Sequence, residues 1–139
     1  MRVQDWDVRL AECIEAVRNE PFQWGKHDCA IWAMSVRLCL RGRDVKPDWA
    51  GKYKTAKGAA RHMLRMDAKN LEEAGRIILG EPIAPLLAQR GDIVLTPDPE
   101  GPSDWPEVFG VCIGRDVAVV TAEGLATHPL MAARLAWRT

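Results

Sequence analysis

The chain has 139 residues, of which 47% are hydrophobic and 27% charged, and its 19 basic and 19 acidic side chains give a formal net charge of zero. That length suits one domain with a core of its own, and balanced charge supplies no global field to gather nucleic acid or an anionic membrane surface. No apolar run approaches the ~20 residues needed to cross a bilayer, so stable membrane insertion is not expected.

Met1–Asp5 lacks the long apolar core of a secretory signal, so the chain is expected in the cytoplasm when made, with reduced thiols. Trp6, Leu10, Cys13, Ile14 and Val17 recur at helical spacing and predict an amphipathic helix over 5–19, stopped by Pro21. A second helix is predicted over 29–41, ended by Gly42. It carries Cys29, Trp32, Ala33, Val36 and Leu40 on one face and is largely apolar on the other, which places it centrally. Residues 43–53 read as a loop holding Pro47, Asp48, Gly51 and Tyr53. Helices follow over about 55–66 and from Asn70, where Glu73 completes a capping-box pattern and Gly80 and Pro82 close the run.

From Arg90 onward the pattern changes. Ile93-Val94-Leu95, the run Val108 to Gly114, Val117 to Thr121 and Leu135 to Arg138 predict strands. The Pro/Gly-rich segment 97–106, with Pro99, Gly101 and Pro102, predicts a loop. Helices first and an antiparallel sheet second imply an α+β fold over residues 1–139 as one domain.

The residues that invite a functional reading lie in Trp24-Gly25-Lys26-His27-Asp28-Cys29-Ala30. Asp28 suits a helix N-cap, because its carboxylate can accept the free backbone N–H groups of the first turn. Cys29 then falls at the positive end of the helix dipole, where a thiolate is favoured. Beside Lys26 and His27 it is placed for nucleophilic chemistry, while the plainer reading is a buried cysteine packing like a small hydrophobe. Both stand open. Cys13 and Cys39 are read as core thiols on helices and Cys112 as a sheet residue. None of the four cysteines forms a CxxC pair, and three adjacent residues cannot all point at one ion, so neither a metal nor another cofactor is expected.

Three stretches carry a family resemblance. Trp24 to Ala30 resembles the Gly…Asp-Cys-Ser/Ala nucleophile turn of the papain-like cysteine peptidases of the NlpC type. Ala88-Gln89-Arg90-Gly91-Asp92-Ile93-Val94 resembles their Pro-Gly-Asp-Leu-Val strand, and Phe109-Gly110-Val111-Cys112-Ile113-Gly114 their Val-Gly-Ile-Tyr-x-Gly strand. Order and spacing agree along nearly the whole chain. Together with the terminal Ala136-Trp137-Arg138, the pattern is most similar to the small branch found at bacteriophage tail tips. The resemblance implies a papain-like fold, with helices packed on a small antiparallel sheet and the central helix opening at Cys29. It also implies a Cys29 thiolate attacking a peptide carbonyl, with a histidine base and a polar residue orienting it.

The departure from that pattern is chemical. The family's histidine position falls on Val108, after Glu107, and the orienting position falls near Thr121. Three histidines exist to replace it. His27 is two residues from Cys29, His62 is expected to be exposed on a charged helix, and His128 is expected in a loop after the third strand, which would have to fold back. Since a general base contributes roughly 10²–10⁴-fold, a site without one is crippled. Two functions follow. The favoured one is a structural or plug component of a phage tail tip, found in the virion after assembly, with other tail-tip proteins as partners and six tryptophans available for docking. The alternative is an active cysteine peptidase or amidase cleaving peptidoglycan peptides with Cys29 as nucleophile.

Overall fold

The computed structural model describes residues 1–42, 49–98 and 105–139. Four helices come first: α1 (Trp6–Val17), α2 (Cys29–Arg41), α3 (Ala56–Arg65) and α4 (Leu71–Leu79). Five strands follow: β1 (Ile93–Pro97), β2 (Glu107–Cys112), β3 (Asp116–Thr121), β4 (Gly124–Pro129) and β5 (Leu135–Trp137). The strands form one antiparallel sheet in the order β4-β3-β2-β1-β5, so the architecture is α+β. Pro47 and Asp48 of the first predicted loop, and Pro99, Gly101 and Pro102 of the second, lie outside the described residues.

The helix boundaries follow from side-chain caps. Asp28, Thr55 and Asn70 each accept a backbone N–H of the turn they open, and Gly42 closes α2 in the left-handed conformation. Because α2 is apolar on nearly every side, it can be buried on two fronts. Cys29, Ala30, Ala33 and Met34 face a core shared with Phe109, Ile93, Leu95 and Trp137. Trp32, Val36 and Leu40 face α1 and the β2–β3 side, with Leu10, Val111 and Ala118. The opposite face of the sheet buries Val94, Cys112, Val117 and Val119 with Leu130 of the one-turn 3₁₀ helix Leu130–Ala132, and Ile83, Ala88 and Ala133 pack against them.

The sheet is forked. β1 and β2 pair from Ile93↔Val111 to Pro97↔Glu107, and β3 and β4 from Asp116↔Pro129 to Thr121↔Gly124. β2 and β3, by contrast, pair only at Val111↔Ala118 and Cys112↔Val117. Gly110 sits where the fork closes: a Cβ there would lie 2.4 Å from the Val117 side chain. Beyond it the first half of β2 and the last half of β3 diverge, and the N-terminus of α2 meets the opening.

Three expectations are corrected. The segment after β3 is a strand, β4, because Ala122-Glu123 turns the chain back on itself. Gly124, at φ 109°, then passes so close to the Arg18 backbone that a Cβ would stand 2.5 Å from its carbonyl oxygen. Cys13 and Cys39 are not separate core thiols: they face each other across α1 and α2, half-buried, and form a disulfide. His62 is not exposed. Its half-buried ring packs against Trp49 and Tyr53, with centroids 5.2 and 5.9 Å away. The tryptophans are also more committed to the fold than docking surfaces would need. Trp32, Trp49 and Trp137 are buried, and Trp6, Trp24 and Trp105 half-buried.

Candidate functional site

Asp28 organises the entrance to α2. Its Oδ1 accepts the Ile31 N–H at 3.0 Å, which is the cap of the helix. Its Oδ2 accepts the Gly25 N–H at 3.0 Å and the Tyr53 hydroxyl at 2.5 Å. The carboxylate is buried, so all three donors act on it away from water. Tyr53 pays back in kind: burial first, and then the charge of Asp28, push its phenol far above the usual range. The turn before the helix is drawn tight. Gln23 and His27 exchange backbone hydrogen bonds at 2.9 and 2.8 Å, and Gly25, at φ 78°, passes against the Tyr53 carbonyl, where any side chain would collide.

Cys29 follows with 8% exposure, at the inner end of a cavity of about 360 Å³ in the fork of the sheet. Phe22, Trp24, Asp98, Trp105, Val108 and His128 share its lining, together with the end of β3. The backbone N–H groups of Phe109 and Ala30 donate toward the sulfur and favour the thiolate. They lose to burial, the largest influence, with the charges of Asp28 and Asp98 in support. The thiol is pushed up to about 12, opposite to the lowering expected from the helix dipole alone. At neutral pH the group is a thiol, and a thiol is a poor nucleophile.

The three histidines separate. The His27 ring packs edge-on to Trp32, with Nδ1 3.8 Å from a Glu20 carboxylate oxygen and Nε2 buried with no hydrogen-bond partner among the described residues, and it is not among the residues lining the cavity. His62 belongs to the Trp49–Tyr53 cluster. His128 does reach the Cys29 cavity, carried there by β4 opposite Val117 rather than by a loop. Among the described residues, no hydrogen bond joins its imidazole to the sulfur.

Val108 lines the cavity from β2, the position at which the resemblance places a histidine. Thr121 Oγ1 donates to the Gly124 carbonyl at 2.7 Å and so closes the β3–β4 turn rather than orienting an imidazole. Lys26 is exposed, and Cys112 is buried within the sheet, its thiol also raised by burial. Among the described residues, no three His, Cys, Asp or Glu side chains converge to hold a metal, and no helix is long and apolar enough to cross a membrane.

Sequence reasoning missed Tyr53, Asp98 and the aromatic wall. Phe22 and Trp24 stack edge to face at 4.8 Å, and Trp24 meets Trp105 at 5.4 Å. Phe22 and Trp24 flank the motif and could have been marked from it. Asp98 and Trp105 stand on either side of a Pro/Gly segment whose path no periodicity reveals.

The model of a family described as a domain of unknown function, DUF6950, matches residues 1–139, and the chain belongs to that family. No curated protein and no solved structure matches it.

Proposed function

We propose that this DUF6950 domain has a papain-like, NlpC-type scaffold that no longer performs peptidase chemistry, and that it serves as a docking component at the tail tip of a bacteriophage or phage-derived particle. The fold part of the reading is supported by the α+β order and the capped cysteine opening the central helix against an antiparallel sheet. The tail-tip part is supported by the similarity of the Trp24–Ala30, Gly91–Val94 and Ala136–Arg138 stretches to that branch.

One observation carries the loss of catalysis. Cys29 lies buried with its thiol raised to about 12 by burial and neighbouring carboxylates, and a valine, Val108, lines its cavity where a base is required. Val108 cannot take a proton, among the described residues no hydrogen bond joins the His128 imidazole to the sulfur, and the thiolate is disfavoured in the ground state. The scaffold remains useful as a rigid frame around an aromatic cleft, and its partners would be neighbouring tail-tip proteins.

The test is incorporation and turnover measured together. Cys29→Ala should enter particles as well as the native chain, and the native chain should release no product from peptidoglycan peptides. Trp105→Ala should lower incorporation. Peptide cleavage abolished by Cys29→Ala would refute the proposal.

A second reading has one specific observation in its favour: His128 lines the same cavity as Cys29. If the imidazole swings toward the sulfur when a peptide binds, Cys29 and His128 form a dyad, and the chain is a cysteine peptidase or amidase acting on peptidoglycan peptides. His128→Ala would then abolish turnover.

A further inference from the structure

We propose that the cleft between α3 and the start of α4 docks an acidic peptide segment, which seats one apolar side chain in the cleft and lays its carboxylates along a basic row on α3. This is not the Cys29 cavity, although Trp105 lines both, and the proposal stands whether or not Cys29 turns over a substrate.

The charge is concentrated here. Between Lys52 and Lys69 the chain carries six basic residues and one acidic residue, Asp67, within a sequence whose net charge is zero. All six basic side chains are exposed, and none of them forms an ion pair. Lys57, Arg61 and Arg65 are spaced by four, so they form one row along α3, about 12 Å long at 1.5 Å per residue. An extended segment of about four residues covers the same length.

The cleft beside that row is apolar and open. It has a volume of about 300 Å³, with Ala60 and the buried Met63 from α3, the buried Leu71 from α4 and the half-buried Trp105 in its lining. Lys57 reaches it from α3, and Lys69 from the position before the Asn70 cap. Glu107, the acidic residue of the lining, is already held by Arg134 at 2.8 and 2.9 Å. The Glu73 carboxylate beside Lys69 accepts the Lys69 backbone N–H at 3.1 Å, as the capping box requires, and leaves the ammonium group unpaired. A ligand with an apolar centre and flanking carboxylates therefore matches both parts of the surface.

A long polyanion or an anionic membrane matches it less well. Outside 52–69 the chain is net acidic, so a large anionic partner that spreads beyond the row meets repulsion, while a short acidic segment does not. Neither phosphate backbone nor lipid headgroup supplies the apolar group that the cleft takes.

The test uses the intact protein and three blocked pentapeptides: acetyl-Glu-Asp-Leu-Glu-Asp-amide, its Gln/Asn counterpart with the same leucine, and the acidic peptide with glycine in place of leucine. Binding is followed through the Trp105 indole N–H resonance. At low salt the acidic leucine peptide should bind about tenfold more tightly than the amide counterpart, as several exposed ion pairs together allow. It should bind at least about tenfold more tightly than the glycine peptide, from burial of the leucine side chain. Replacing Lys57→Gln and Lys69→Gln together should reduce the acid preference to about threefold. Both side chains are exposed, so the fold should survive. In the unaltered protein, high salt should bring the acid preference close to one and leave the leucine preference in place.

Equal affinity for the acidic and amide peptides, or for the leucine and glycine peptides, would overturn the proposal. So would tighter binding of single-stranded oligothymidylate or phosphatidylglycerol vesicles than of the acidic leucine peptide, which would make the row a general anion surface. None of these results bears on the state of Cys29, which the turnover assay reads separately.

Discussion

Removing the Asp28 carboxylate tests how the site is built. Asp28→Ala takes the acceptor from three groups at once: the Ile31 N–H that it caps, the Gly25 N–H, and the Tyr53 hydroxyl. A lost N-cap costs about 1 kcal/mol, and each buried donor left without an acceptor about 1–3 kcal/mol more, so the variant should lose at least about 3 kcal/mol of stability. Tyr53→Phe deletes one donor and leaves the other two bonds in place. With one bond to a charged acceptor lost, its cost should be about 1.5 kcal/mol. Urea unfolding followed by tryptophan fluorescence measures both, and the double variant should cost less than the sum because the two share a bond. The reasoning fails if Asp28→Ala costs under about 1 kcal/mol, or if Tyr53→Phe is as damaging as Asp28→Ala.

Two further outcomes follow from packing and charge. Gly75 lies in α4 with the buried Trp137 ring 2.6 Å from where a Cβ would be. Gly75→Ala should therefore destabilise by about 1 kcal/mol net, overpacking of about 1–3 kcal/mol exceeding the ~1 kcal/mol gained in helix propensity, and a raised urea midpoint would contradict the packing. Arg134 bonds Glu107 at 2.8 and 2.9 Å and Glu72 at 2.7 Å, and it holds the Glu72 carboxyl below the usual range. A depressed carboxyl stabilises the fold above its unfolded value, and that stabilisation is lost as pH falls through the folded one. Arg134→Ala should thus flatten part of the acid loss of stability. Since these groups lie near the surface, the effect should be small and fade in high salt; an acid profile unchanged by the substitution at low salt would count against it.

Much of the frame was legible from the sequence because local chemistry and tertiary position agree there. Asp28, Thr55 and Asn70 are side-chain caps whose helices begin where composition predicts, and the apolar surround of α2 announces its burial. β4 was missed because Gly124-Leu125-Ala126-Thr127-His128 is weakly apolar and borrows its order from pairing with β3. That error moved His128 from the cleft into a loop. The state of the Cys29 thiol stayed open for a different reason. A helix N-terminus can be read from a sequence, but the depth of burial and the approach of Asp98 depend on how the sheet closes over it. The pairing of Cys13 with Cys39, 26 positions apart, likewise depends on how two helices cross.

The central claim is that Cys29 has no working base. Its most direct test is the rate of Cys29 alkylation against pH, resolved from the other cysteines by mass spectrometry, in the native chain and in His128→Ala. The account predicts slow alkylation through neutral pH, a rise only toward the alkaline limit set by a thiol near 12, and no change in the variant. Rapid alkylation at about pH 6 that collapses in His128→Ala would contradict it, because a thiolate stabilised by that imidazole would then be present in the ground state.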